Sequence, residues 1–332
     1  MSTIENADKV RLFALNSNPE LASKVADKMG LPLNKCKVSH FADGEISVEI
    51  EDSVRGCEVY VIQSVSDPVN TNLMELLIMV DALRRASAAE INVVMPYYGY
   101  ARQDRKARSR EPITAKLVAN LLEMDKINRL ITIDLHASQV QGFFDIPVDH
   151  LIAAPLLASY FIQHQLTDNV VLVAPDHAGV SLTRKFAEFI NVPIAIVDNR
   201  DDSKHEGQQE DDDFADTVIG DVKGKNCIIV DDIVDTGTRL SACAKVLKKF
   251  GALDIYAAAT HAVFSANATD IIEQSPLKRL VVTDTIKIPE EKQIDKLRVI
   301  SVATLLKEAM VRNHNHQSID SLFHGTMDIE KA

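Results

Sequence analysis

Short apolar runs recur along the chain with amphipathic stretches between them, and this alternation predicts the secondary structure. Eight of the runs are rich in β-branched residues and are apolar at successive positions, which is typical of parallel strands buried on both faces. These predicted strands cover residues 59–62, 91–95, 130–133, 170–173, 194–197, 227–230, 256–260 and 280–282.

The stretches between the strands carry helix signals. Asn18 and Pro19 predict a helix start with a side-chain cap, and Leu21 and Met29 share one face before Gly30 ends the helix. Apolar residues at helical spacing predict three further helices, at about residues 71–86, 114–122 and 240–250.

Strands that alternate with helices predict an α/β fold with right-handed crossovers. The strand sets before and after about residue 150 look alike. We therefore expect two similar domains, each an open, mainly parallel sheet flanked by helices. We place the first at residues 1–152 and the second at 153–307, and we expect the segment of about 308–332 to pack with the first.

Composition excludes some classes of function. The net charge of −12 argues against general nucleic-acid binding, which needs a basic surface. The four cysteines lack metal-ligand or redox spacing and are typical of reduced thiols. The N-terminus lacks a signal-peptide pattern, and the apolar run 73–80 is interrupted by Glu75 and is too short for a membrane span. We expect a cytoplasmic protein with no membrane partner.

The predicted strand 227–230 runs into an acidic loop that a helix follows. Carboxylates at a strand end can hold ribose hydroxyls or a metal, and the turn before a helix offers backbone N–H groups to a phosphate. The loop resembles the phosphoribosyl-binding loop of phosphoribosyltransferases and their relatives, although plain helix capping is the alternative. Its candidate residues are Asp231, Asp232, Asp235, Thr236, Gly237, Thr238 and Arg239.

Residues 97–112 follow the predicted strand 91–95 and concentrate positive charge. The segment holds five basic residues within nine positions, at 102, 105, 106, 108 and 110. These side chains could clamp phosphates while the tyrosines flank a base, and a solvated charged loop is the alternative. Residues 134–149 follow the next strand and contain His136, for which a core position is the alternative to a ligand role.

Residues 134–149 match ribose-phosphate pyrophosphokinases (phosphoribosyl diphosphate synthetases) almost completely. With the blocks at 41–45, 92–112 and 173–179, the chain resembles this family over about residues 10–324. The resemblance implies a phosphoribosyltransferase-like fold. It also implies transfer of the β,γ-diphosphoryl group of MgATP to the C1 hydroxyl of ribose 5-phosphate, giving phosphoribosyl diphosphate and AMP.

The resemblance further implies roles for individual residues. It assigns the loop from Asp231 to ribose 5-phosphate, and His136 and Asp176 to Mg²⁺. It implies an ATP-contacting, oligomerising first domain, commonly in hexamers, and phosphate and nucleotide effectors. The residues that it assigns to ATP are Asp43, Gly44, Glu45, Arg102 and Gln103.

Two loops depart from the family pattern. The catalytic loop of the family reads Asp-Lys-Arg-Arg-Pro-Arg, whereas here Asn199 stands at the lysine position and Asp201 at an arginine position. Arg200 and Lys204 are the cations that could substitute for them. In the phosphate loop, Arg239 displaces a hydroxyl donor, and it could bind phosphate or fill the pocket.

These departures leave two main hypotheses. The first is a ribose-phosphate pyrophosphokinase with reduced activity, because cations that should meet developing charge are missing. The second is a catalytically impaired paralogue that acts as a regulatory subunit in a hetero-oligomer with an active homologue. A phosphoribosyltransferase that acts on a base is disfavoured, because the N-terminal blocks would then be redundant.

Overall fold

The computed structural model describes residues 4–198 and 217–324. Over these residues the chain forms two compact units. The first runs to Ala153 and adds Thr285–Lys287 and Ser301–His324. The second comprises Ala154–Asp284 and Ile288–Ile300. The functional roles attached to the two predicted domains stay predictions.

The first unit is built on a parallel sheet and a separate hairpin. Its strands are β1 (Val10–Ala14), β2 (Cys36–His40), β3 (Ile46–Ile50), β4 (Glu58–Ile62), β5 (Glu90–Met95), β6 (Arg129–Ile133) and β7 (Val148–Leu151). Strands β2 and β3 pair with each other in antiparallel fashion, and the other five form one parallel sheet in the order β1-β4-β5-β6-β7. The helices of this region are α1 (Pro19–Met29), α2 (Val69–Arg85) and α3 (Thr114–Met124).

Helix α1 shows the predicted end signals in place. The Asn18 side chain accepts a hydrogen bond from the Leu21 N–H at 3.2 Å, and Pro19 occupies the first helical position. Gly30 closes the helix with φ of 68°, a left-handed conformation that glycine adopts without steric cost. Leu21 and Met29 are buried, as their shared face predicted.

The second unit holds a seven-stranded sheet in the order β10-β9-β8-β11-β12-β13-β14. Its strands are β8 (Val170–Ala174), β9 (Ile194–Asp198), β10 (Thr217–Ile219), β11 (Asn226–Val234), β12 (Ile255–Ala262), β13 (Arg279–Thr283) and β14 (Leu297–Ile300). Only the β10–β9 pairing of this sheet is antiparallel. The helices in this part of the chain are α4 (Ala154–Gln163), α5 (Val180–Ile190), α6 (Thr238–Lys249) and α7 (Ala268–Gln274). The fold class predicted from the sequence is confirmed.

All eight predicted strands lie inside observed ones, and one is notably longer than predicted. The pattern placed Asp231 and Asp232 beyond the strand 227–230, but β11 continues through them to Val234. Pairing with β12 explains the extension, because Asp231 stands opposite Ala259 and Val234 opposite Ala262. No helix in the described residues is long and apolar enough to cross a membrane.

The last helix, α8 (Ala303–His314), belongs to the first unit, and hydrogen bonds join its C-terminal end to the start of β4. The His314 Nδ1 atom lies 2.6 Å from Glu58 Oε2, and the Asn313 amide donates to the Tyr60 hydroxyl at 2.8 Å. Partial burial alone would lower the pKa of His314, but its hydrogen bonds to Glu58 and to the Glu5 carbonyl outweigh that effect and raise the pKa.

We predict that His314→Gln destabilises the protein more at low pH than at high pH. Because the pKa of His314 is raised in the folded state, its contribution is complete below the unfolded pKa of about 6.5 and is lost as pH rises through the folded value. The loss should be on the order of 1–2 kcal/mol at about pH 5.5 and should fade by about pH 9, measured by urea denaturation. His316→Asn, at an exposed position, is the control; an equal loss at both pH values would contradict the assignment.

Candidate active site

The segments after β5 and β6 meet at the carboxyl edge of the first sheet. The Gln139 side-chain amide donates to Asp104 Oδ2 at 3.0 Å, and this bond joins the basic segment 97–112 to the segment 134–149. Ligands of open parallel sheets bind beyond this edge, because the loops that follow neighbouring strands converge there. The structure therefore brings the two motifs of the first half together.

The start of the basic segment is rigidly held. Tyr98 is buried and donates its hydroxyl to the Ala115 carbonyl at 3.0 Å. Gly99 lies so close to Val65 that a Cβ there would stand 2.4 Å from the Val65 carbonyl oxygen, so the contact requires glycine. The Gln103 carbonyl accepts from the Ala115 N–H at 3.1 Å. The candidate residue Gln103 is thus fixed to the first turn of α3.

The cations of this segment face solvent. Glu111 organises the loop, since its Oε2 accepts from the backbone N–H groups of Ala107 at 2.9 Å and Arg108 at 2.8 Å. The basic side chains around it are all exposed, at positions 102, 105, 106, 108 and 110. A well-ordered loop that displays cations is suited to bind a polyphosphate.

His136 is exposed, so the alternative of a core histidine is wrong. The adjacent Asp134 is buried, and its Oδ2 accepts from the Ala153 N–H at 3.1 Å. The Leu135 N–H donates to His150 Nε2 at 2.9 Å. These bonds hold the backbone on the amino side of His136 and leave its imidazole accessible.

The tip of the β2–β3 hairpin carries Asp43, Gly44 and Glu45, all exposed. Asp43 Oδ1 accepts from the Glu45 N–H at 3.1 Å, and Gly44 has φ of 93°. The tip is therefore an ordered turn. Its two-stranded sheet is separate from the parallel sheet whose strand β5 leads into the loop of Arg102. Contact between these residues and ATP stays a prediction.

A buried polar cluster supports the loops after β1 and β4, and the sequence did not reveal its role. Glu75 is 1% exposed, and it accepts hydrogen bonds from Asn16 at 2.8 Å and from Gln63 at 3.1 Å. Gln63 also accepts from the Ser17 N–H at 3.0 Å. The available signal was Glu75 itself, an acidic residue within the apolar run 73–80. Asn16 and Gln63 lie just after β1 and β4, and His40 Nε2 at the end of β2 is 3.9 Å from Glu75 Oε1. Glu75 therefore links the ends of three strands.

In the second unit, the phosphate-loop candidates lie at the carboxyl end of β11 and the start of α6. Gly237 has φ of 77°, and a Cβ there would meet the Ala268 carbonyl oxygen at 3.0 Å, so both conformation and space require glycine. The Thr236 and Thr238 hydroxyl oxygens lie 3.1 Å apart. Backbone N–H groups at the start of a twelve-residue helix are suited to a phosphate.

Arg239 joins two carboxylates in this unit. Its Nη1 donates to Asp176 Oδ2 at 2.9 Å, and its Nη2 lies 2.7 Å and 2.6 Å from the two oxygens of Asp231. Asp231 is 5% exposed. Burial raises the pKa of Asp231, and the charge of Arg239 opposes that rise. Arg239 is thus paired with two carboxylates, and both expectations for it, phosphate binding and filling of the pocket, stay predictions.

Asp176 has a second task, because its Oδ1 accepts from the Gly179 N–H at 2.8 Å at the start of α5. The neighbouring His177 pairs through Nε2 with Asp198 Oδ1 at 2.9 Å. Asp198 is the last described residue before the predicted catalytic loop. The residues predicted there, Asn199, Arg200, Asp201 and Lys204, lie outside the described residues.

The acidic side chains of the second unit meet the ligand preference of Mg²⁺ only in part. Asp176 and Asp231 supply the carboxylate oxygens that this cation prefers. In the described part of the chain, however, no three His, Cys, Asp or Glu side chains are grouped to hold a metal ion. Both carboxylates already contact the guanidinium of Arg239, and a second cation there would be repelled. The pair therefore fits Mg²⁺ in its donor chemistry but not with Arg239 in this position.

Comparisons with known proteins decide the family. Residues 10–125 match the N-terminal domain of ribose phosphate pyrophosphokinase, and residues 210–324 match the phosphoribosyl synthetase-associated domain. A ribose-phosphate pyrophosphokinase 1 from Listeria monocytogenes is 56% identical over 95% of this chain and 97% of its own. The chain belongs to the ribose-phosphate pyrophosphokinase family. A relative of the same family name from Lactiplantibacillus plantarum is 57% identical over 97% of this chain and 99% of its own.

A solved structure of the family confirms the fold. The crystal structure of phosphoribosylpyrophosphate synthetase from Mycobacterium smegmatis is 40% identical, and it covers 93% of this chain and 99% of its own. The TM-score of the two structures is 0.87. The resemblance stated from the motifs is thus confirmed at the level of family and fold, while the roles of individual residues stay predictions.

We predict that Gly99→Ala destabilises the first unit and lowers its affinity for ATP. The added methyl would overlap the Val65 carbonyl, and such overpacking costs about 1–3 kcal/mol. Gly142→Ala is the matched control, because a Cβ at Gly142 meets nothing within 4 Å. Urea denaturation and ATP calorimetry on both variants check this; equal behaviour of the two would show that the close approach at Gly99 is unimportant.

Proposed function

We propose that this protein is a ribose-phosphate pyrophosphokinase that works at a reduced rate. It would transfer diphosphate from MgATP to C1 of ribose 5-phosphate and release AMP. The observation that carries the proposal is that each unit displays one half of the required chemistry. The first presents ordered cations at a sheet edge, and the second presents carboxylates and a helix N-terminus.

ATP is the ligand proposed for the first unit. Arg102 and its basic neighbours supply positive charge for a triphosphate, and Gln103 is held beside them by α3. Asp43, Gly44 and Glu45 join this site by family resemblance. The rigid backbone around Gly99 favours binding, since little conformational entropy remains to be lost when the ligand arrives.

Ribose 5-phosphate is the ligand proposed for the second unit. Its 5-phosphate would be seated by the backbone N–H groups around Gly237 and the start of α6. Asp231 and Asp235 would bind ribose hydroxyls and so orient the C1 hydroxyl toward ATP. During transfer the C1 oxygen forms a bond to the β-phosphorus, the bond from that phosphorus to the AMP oxygen breaks, and the C1 hydroxyl releases its proton.

Mg²⁺ is the cofactor proposed for this reaction. When bound, it would neutralise charge on the phosphates, and His136 and Asp176 are its proposed ligands by family resemblance. The family resemblance also supports a homo-oligomer, with a hexamer as the family form, and a cytoplasmic location stays a prediction.

The alternative is a regulatory subunit of an active homologue. Two observations favour it: the substitutions at Asn199 and Asp201, and the neutralisation of Asp176 and Asp231 by Arg239.

An assay of AMP formation from ATP and ribose 5-phosphate tests the proposal. We expect MgATP to bind at millimolar concentration by calorimetry and AMP to form at a low but measurable rate with the purified protein. Undetectable AMP, with ATP still bound and with the rate of an active relative altered on mixing, would favour the regulatory subunit. Absence of ATP binding in the folded protein would contradict both.

Exchange of the catalytic loop tests the cause of the reduced rate. Asn199→Lys combined with Asp201→Arg should raise turnover about tenfold or more, because one well-placed donor to developing charge is worth about 3 kcal/mol. ATP affinity should change less, since these groups act mainly in the transition state. A graft of the shorter family loop is the second variant. A normal rate in the unmodified protein would show that Arg200 or Lys204 already supplies the charge.

A further inference from the structure

The guanidinium of Arg239 supplies the positive charge that balances two carboxylates of the second unit. Its guanidinium contacts three carboxylate oxygens, one from Asp176 and two from Asp231, at 2.6–2.9 Å. Contacts this short are typical of charge-assisted hydrogen bonds. About half of the Arg239 side chain is exposed, at 48%, so the pair lies at the surface of the unit and not within its core.

Removal of Arg239 would leave both carboxylates without their cationic partner and would raise the free energy of the folded protein. Asp231 is almost fully buried, and a buried charge that loses its partner costs several kcal/mol. The charge balance can be restored by any cation that brings donors or coordination sites to the same oxygens. A divalent cation meets that condition, since carboxylate oxygens are its preferred ligands.

We propose that Arg239 is an internal counter-ion that competes with a divalent cation for Asp176 and Asp231 and thereby sets the cation requirement of the site. The proposal rests on the proposed function only in naming Mg²⁺ as the physiological competitor. Withdrawal of Arg239 frees both carboxylates, and the free-energy cost of that withdrawal lowers the affinity for the cation. The side chain is a positioning residue in this role and does not touch the reacting atoms.

The competition has a consequence for phosphate. Arg239 is the second residue of α6, the helix whose start is proposed to seat the 5-phosphate. An anion at that helix start attracts the guanidinium and so favours its departure from the carboxylates. Inorganic phosphate should therefore raise the affinity for Mg²⁺, and Mg²⁺ should raise the affinity for phosphate by the same factor.

Calorimetric titration of Mg²⁺ into the full-length protein without nucleotide tests the proposal. Arg239→Gln should bind Mg²⁺ about tenfold more tightly than the unmodified protein, because the competent state no longer requires withdrawal of a cation. Lys245→Gln removes the same charge from an exposed position on α6 and should leave the affinity unchanged. The double variant Asp176→Asn with Arg239→Gln should lose the gain, which would locate the gain at this pair.

Thermal denaturation gives a second readout and covers a failure to fold. Without Mg²⁺, Arg239→Gln should have a lower Tm than the unmodified protein, and Mg²⁺ should recover the difference where Na⁺ at equal ionic strength does not. Arg239→Lys keeps the charge but cannot bridge both carboxylates, so its Mg²⁺ affinity should be intermediate. Equal Mg²⁺ affinity in the Gln, Lys and unmodified proteins would overturn the proposal. Neither readout uses AMP formation, so failure of the proposed reaction would be seen separately.

Discussion

Parallel pairing of strands is the constraint on which both candidate half-sites depend. In a parallel sheet every strand ends at the same edge, so loops far apart in sequence are brought together there. In the first unit this constraint joins Asp104 to Gln139. In the second it sets Asp176, which follows β8, beside Asp231 in the neighbouring strand β11. The chemistry of each edge follows from which side chains the loops carry.

The two edges treat charge in opposite ways. The first exposes its cations, while its carboxylates accept hydrogen bonds within the unit. Glu111 and Asp134 accept from backbone N–H groups, and Glu75 accepts from the side-chain amide of Asn16. The second satisfies its carboxylates within the unit through Arg239. An edge with exposed cations attracts a polyanion, whereas an edge whose anions are paired must first exchange one partner for another. Substrate binding is therefore expected to be easier at the first edge than at the second.

Sequence periodicity predicted the buried strands because both faces of a parallel sheet are apolar. It missed β1, the β2–β3 hairpin, β7, β10 and β14, where apolar positions alternate with polar ones or the strand is only three to five residues long. The motifs identified the candidate ligand-binding loops, but they did not predict which residues the side chains of those loops contact. The contact of Arg239 with Asp176 joins residues 63 positions apart in sequence, and no local pattern encodes such a distance. The core alternative for His136 likewise needed coordinates to be rejected.

The double task of Asp176 bears on how chains of this family are interpreted. One of its oxygens accepts from the first turn of α5, and the other accepts from Arg239. Loss of this carboxylate would cost helix stability even in a protein that never met a metal ion. The aspartate at this position therefore has a structural role in this chain that does not depend on a metal ion. Because Arg239 occupies the other oxygen, the identity of residue 239 bears on whether Asp176 is available to a metal ion.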